Sequence, residues 1–150
     1  MLAPGMSLAQ PGDGPPFGEK REQVESMKIA FLTRKLELTP EEAKVFWPVY
    51  DQYQDELFKL RESHRKQLQD AREDESKLSD QESEKLVDEM IVFRQKELDI
   101  LKKYHVQFKK VLPVGKVARL YRAEEDFKRD LLKRLQERRE GGPPLQNRKP

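Results

Sequence analysis

The stretch LTPEEAKVFWPVYDQY, residues 38–53, decides how the rest of the chain reads. Thr39 stands three residues ahead of Glu42, so its hydroxyl can accept the Glu42 N–H while the Glu42 carboxylate reaches back to the Thr39 N–H. Pro40 falls at the first helical position, where its missing N–H costs nothing. Phe46, Tyr50, Tyr53, Leu57 and Leu60 then follow at steps of three and four, the signature of one buried helical stripe. Pro48 lies nine residues past the cap, beside the only tryptophan, Trp47. A proline there deprives the Lys44 carbonyl of its partner and crowds it, at a cost of about 3 kcal/mol in a straight helix. The apolar residues nevertheless keep phase across it. The spacing therefore predicts a helix that continues through Pro48 and bends there, turning Trp47 towards its neighbours, rather than one that ends. The aromatic run supplies core area that this chain needs, and reads as fold-forming rather than as a cofactor box.

Helical periodicity extends in both directions. Ahead of the cap, residues 19–36 place Val24, Met27 and Phe31 on one face, with Ile29, Leu32 and Leu36 alongside. The second helix reaches to about residue 69. The charged segment DAREDESKLSD forms a loop, and Ser79 with Glu82 offers a second capping box. A third helix to about residue 110 carries its stripe on Leu86/Val87, Met90/Ile91, Leu98, Leu101, His105, Phe108 and Leu112. LPVGK breaks it. A fourth helix, with Val117, Leu120/Tyr121, Phe127, Leu131 and Leu135, ends near Arg139. Two helix–turn–helix halves result, each pairing a shorter helix with a longer one. The expected organisation is a linker over residues 1–18, one all-α domain over 19–139, and a tail over 140–150 that is disordered by composition.

Composition agrees with thin helices. Of 150 residues, 35% are hydrophobic and 39% charged, less apolar material than a compact sphere wants but enough for one stripe per helix. Thin layers leave apolar surface uncovered, and closed two-fold pairing is the commonest way to bury it, so a homodimer is expected. No apolar run approaches the roughly 18 residues of a membrane span. Net charge is +2, too balanced for a strong nucleic-acid binder. The surplus lies at the C-terminal end, where residues 128–150 hold eight Lys/Arg against three Asp/Glu. That end lacks the aromatic platforms that stack bases, and reads as a solvated face. There is no cysteine. Near the start, Ser7-Leu8-Ala9 before Gln10 has the small residues that signal peptidase reads. It is either the remnant of a secretory signal or part of a flexible N-terminus.

Catalytic and metal chemistry find little to work with. Glu-x-x-His, the di-metal carboxylate motif, is absent: Arg61 precedes His64 by three and Lys102 precedes His105. His105 lies on the third stripe and reads as packed and hydrogen-bonded, while His64, among RESHRKQ, reads as solvated. PVGKVA ends like a phosphate loop, yet Lys110 occupies the required glycine position and Val117 that of the Ser/Thr. No serine sits in a glycine-flanked turn, and no acid pair stands in an apolar stretch. No enzyme activity, cofactor or metal is expected.

LTPEE, with Leu38, Thr39 and Glu42, resembles the first LTxxQ motif of the Spy/CpxP family of periplasmic helical proteins, with Glu42 in place of the glutamine. The second motif should open the last helix, where LPVGK keeps only the leucine. MKIAFLTRKLELTPEEAKVFWPVYDQY and KVARLYRAEEDFKRDLLKRL are similar to a Bacteroidetes branch often labelled as sensors linked to extracytoplasmic sigma factors. The resemblance implies a bent four-helix hairpin of hairpins, paired into a thin cradle. It also implies either an ATP-independent holdase for unfolded chains or a regulatory partner in envelope-stress signalling. A periplasmic location follows if Ser7-Leu8-Ala9 is a true signal remnant. The metal-binding members rely on histidine-rich sets that this chain lacks. Phe58, Arg61 and Arg65, off the main stripe of the second helix, and Arg94 on the third are the candidate partner contacts.

Overall fold

In the computed structural model of the chain, residues 17–73 and 77–141 are described, and the side chains over 20–71 and 77–141. The Ser7-Leu8-Ala9 site and most of the tail lie outside them. The described residues are all-α: α1 (Phe17–Leu36), α2 (Pro40–Glu73), α3 (Asp80–Val111) and α4 (Val114–Glu140). No strand occurs among them.

Local chemistry sets the boundaries. At α2 both arms of the capping box form: the Thr39 N–H donates to Glu42 Oε1 at 3.0 Å, and the Glu42 N–H to Thr39 Oγ1 at 3.1 Å. Upstream, Glu37 stops α1 by taking a left-handed conformation (φ 48°) without being a glycine, at a cost of about 1–2 kcal/mol. At α3, Ser79 is extended and its Oγ accepts the Glu82 N–H. The break before α4 is shorter than LPVGK suggests. Only Leu112 and Pro113 leave the helix, because a residue before proline is pushed to extended backbone. The Pro113 carbonyl then accepts from the Lys116 and Val117 N–H groups, and Val114 and Gly115 already belong to α4. α2 runs unbroken through Pro48, whose side is exposed.

The chain forms two compact units, one from α1 with α4 beyond residue 121, the other spanning Glu37–Tyr121. In the second, α2 and α3 lie antiparallel, since contacts advance on one helix as they retreat on the other. Phe46 meets Phe108 (ring centroids 5.9 Å), Tyr53 meets Tyr104 (5.5 Å), Lys103 pairs with Glu56 (2.7 Å), and Arg61 pairs with Glu97 (3.1 Å). Phe46, Tyr50, Leu57, Tyr104, Phe108, Leu112, Val117 and Leu120 are its buried residues. In the first unit Leu32, Leu36, Ala123 and Phe127 are buried, Phe31 stacks obliquely on Phe127 (5.6 Å), and Lys28 pairs with Glu124 at 3.1 Å.

Several expectations need correcting. The third stripe is buried only at its C-terminal end, at Phe108 and Leu112, with Tyr104 buried beside it though outside the expected stripe; Val87, Met90, Ile91 and Leu98 are exposed. Met27, Ile29 and Leu135 are exposed too. His64 is not simply solvated: it is half-buried and stacks on Phe93, ring centroids 3.9 Å apart and nearly parallel. A flat ring on its flank shields it from water that its polar neighbours in sequence imply.

Candidate functional site

The three arginines expected to meet a partner turn out to be held by carboxylates of the chain itself. Arg61 of α2 and Arg94 of α3 take the two oxygens of a single carboxylate, Glu97, at 3.1 and 3.0 Å. Arg94 also lies 5.8 Å from the Phe93 ring centre. Arg65, one turn beyond Arg61, holds Glu62 through two nitrogens at 3.2 and 3.0 Å. Phe58 is half-buried one turn before Arg61. The arginines stay largely open to solvent, at 57%, 58% and 75% for Arg61, Arg65 and Arg94. Each can reach a partner only by sharing or leaving a carboxylate, and exposed ion pairs of this kind contribute about 0–1 kcal/mol. Arg61 ties α2 to α3 through Glu97, while Arg65 and Arg94 pair within their own helices, so none of the three is a free basic group.

The motif residues work structurally. Glu42 Oε1 accepts the Thr39 N–H and also the Lys116 ammonium at 2.6 Å, while the same ammonium donates to the Glu37 carbonyl at 2.9 Å. Lys116 and the Thr39 N–H hold the Glu42 carboxyl below the ordinary range. Leu38 is half-buried, and Trp47 packs edge-on against Phe46 (4.9 Å) and Tyr50 (5.6 Å). The lysine of the phosphate-loop look-alike is thus a clasp for the α2 cap.

Both histidines are accounted for. His105 is half-buried with Nδ1 2.6 Å from the Tyr121 hydroxyl, as a packed, hydrogen-bonded histidine should be. Burial pushes the Tyr121 phenol up. Among the described residues no three His, Asp or Glu side chains gather as a metal site requires, and no helix is long and apolar enough to cross a membrane.

A cleft in the first unit was not anticipated. It measures about 200 Å³ and lies between α1 and α4. Met27, Ala30 and Phe31 form one wall, Phe127 and Leu131 the other, with Arg34, Arg134 and Asp130 completing the lining. Ala30 leaves the gap that a larger residue would fill. The Arg34 guanidinium lies 5.8 Å from the Phe31 ring centre and the Lys35 ammonium 5.6 Å from it, so cations crowd the apolar floor. Unlike Arg61, Arg65 and Arg94, neither Arg34 nor Arg134 enters an ion pair among the described residues. The volume falls below the roughly 300 Å³ at which ordinary small-molecule pockets begin. It suits one large apolar side chain with an acidic neighbour. The cleft has a sequence signal in retrospect: Met27, Phe31, Arg34 and Phe127, Leu131, Arg134 repeat one spacing on the two helices. Compared with protein-family models, curated proteins and solved structures, the chain matches none of them.

Proposed function

We propose that this protein is a non-catalytic, extracytoplasmic polypeptide-binding protein that holds unfolded chains without ATP. The observation that carries this reading is the cleft between α1 and α4: an apolar floor from two helices, open to solvent, with two unpaired guanidiniums in its lining. An extended polypeptide can insert a Leu, Met or aromatic side chain there and place a flanking Asp or Glu against Arg34 or Arg134. Such an anchor selects a residue class, not a sequence, which is what a holdase requires. Leu135, exposed on α4 one turn beyond the cleft residue Leu131, adds apolar surface outside the cleft itself. The resemblance of LTPEE to the LTxxQ box supports the same function and the location outside the cytoplasm.

Methyl NMR tests the binding step. The chain has four methionines, of which Met27 lies in the cleft wall and Met90 on α3. A reduced, carboxymethylated and permanently unfolded client is expected to shift the Met27 methyl resonance in a saturable way. If no titration up to millimolar client moves Met27, the cleft does not hold polypeptide.

A further inference from the structure

The C-terminal turns of α4 sort their side chains around the helix. From Lys128 to Arg139 there are six Lys/Arg against two Asp/Glu, and every residue but Leu131 is exposed. Lys128, Leu132, Leu135 and Arg139 follow at steps of four, three and four, and so form one stripe along the helix. At about 100° per residue, both acids of the segment, Asp130 and Glu137, fall on the opposite side together with Lys133. Leu132 and Leu135 are 59% and 48% exposed, with half-buried Leu131 beside them. Glu125, a turn before Lys128, bounds the stripe.

Internal contacts leave this face without a task. Arg129, at its edge, is taken by Asp126, but Lys128, Arg138 and Arg139 enter no ion pair among the described residues. Arg138 and Arg139 sit in the last turn, where cations complement the carbonyl end of a helix. That accounts for neither Lys128 at the other end nor the two bare leucines between. The α4 residues of the cleft, Phe127, Asp130, Leu131 and Arg134, centre about a third of a turn away, so the stripe faces elsewhere.

We propose that this face seats α4 on an anionic lipid surface, with the helix axis in the plane of the headgroups. Leu132 and Leu135 then enter the boundary between headgroups and acyl chains, while the acids turn to water. Lys128, Arg138 and Arg139 flank the leucines and reach lipid phosphates by extending along the interface. One convex helix side suits a plane; an acidic peptide is better held in a groove, and a nucleic acid would set phosphates against the leucines. With so few leucines the contact is carried mainly by charge and is reversible. It is also peripheral, since no helix among the described residues is long and apolar enough to cross a membrane. The inference goes beyond the client-binding reading and does not depend on it.

Flotation of the full chain with vesicles of phosphatidylcholine containing about 30% phosphatidylglycerol, set against phosphatidylcholine alone, tests it. The wild type is expected to float with the anionic vesicles only, and to bind about tenfold more weakly when salt rises from about 0.05 M to about 0.3 M. Lys128→Glu and Arg139→Glu should each weaken binding about tenfold or more. Leu132→Ser should weaken it about fivefold or more. Lys133→Glu makes the same change in net charge on the far side of the helix, and should lose less than about threefold. All four positions are exposed, so unchanged circular dichroism will show that the fold persists. Absence of flotation with anionic vesicles overturns the inference, as does equal binding to neutral ones. A loss at Lys133→Glu equal to that at Lys128→Glu overturns it too, because net charge alone would then explain binding. Polyglutamate that binds the wild type while vesicles do not would assign the face to an acidic polypeptide instead. The Met27 titration reads the cleft separately, so either result leaves the client-binding test intact.

Discussion

Lys116 Nζ stands 2.6 Å from Glu42 Oε1, across 74 residues of sequence, and so ties the start of α4 to the cap of α2. The same carboxylate oxygen accepts the Thr39 N–H, and the same ammonium holds the carbonyl of left-handed Glu37. Cap, turn and interhelical contact therefore form one unit. Thr39→Ala removes the side-chain acceptor of the Glu42 N–H and should cost about 1 kcal/mol. Lys116→Met should lower the melting temperature as well, and the double variant should lose less than the sum of the singles. Thermal denaturation of the three variants checks this; strict additivity would show that the box and the clasp act separately.

Acid should loosen the same junction. Lys116 and the Thr39 backbone depress the Glu42 carboxyl, and Lys103 depresses that of Glu56, both from 4.5. A carboxylate with a lowered folded pKa contributes stability above its unfolded value, and loses it as pH falls through the folded one. Urea midpoints should thus be flat above about pH 5.5 and fall steadily below about 4.5. Glu42→Gln with Glu56→Gln should reduce the slope of that fall. An unchanged slope would mean that these pairs carry no linkage.

Pro48 offers a third check. Its ring is exposed, so replacing it sacrifices little packing, while an alanine N–H can bond the Lys44 carbonyl. Pro48→Ala should stabilise the protein by about 1–3 kcal/mol. If the proline also bends α2, spin labels at positions 41 and 59 should move apart in the variant. A wild-type distance equal to that of the variant would remove the bend from the account.

The cleft predicts its own antagonist. Ala30→Trp should fill it without disturbing buried side chains, since Ala30 is exposed. Client affinity, measured by fluorescence anisotropy of a labelled unfolded peptide, should drop about tenfold or more for the loss of one buried apolar anchor. Arg34→Glu should weaken acidic clients more than basic ones. Equal loss for both would show that the guanidinium does not read charge.

Much of this architecture was legible in the chain, for identifiable reasons. Capping chemistry is local, so Thr39 with Glu42 and Ser79 marked helix starts to the residue. The phase of Phe46, Tyr50 and Leu57 survived Pro48 because packing of the stripe outweighs one lost bond. What periodicity does not encode is the partner of a stripe. Leu86 to Leu98 repeats as regularly as Leu101 to Leu112, yet it is at Tyr104 and Phe108 that α3 meets Phe46 and Tyr53 of α2 and is buried. The cleft escaped notice because its walls are nearly a hundred residues apart in sequence and each wall alone looks like an ordinary helix face. Ala123 escaped as well, a small residue whose burial depends on close approach rather than hydrophobicity.

The function itself is tested most directly by light scattering of a client unfolding in reductant, with the protein added at near-stoichiometric ratio and no nucleotide present. The account predicts that scattering is suppressed in proportion to added protein, reaches completion near equivalence, and returns when Ala30→Trp replaces the wild type. Scattering that rises in the presence of the wild type as it does with an inert protein of equal mass would contradict it.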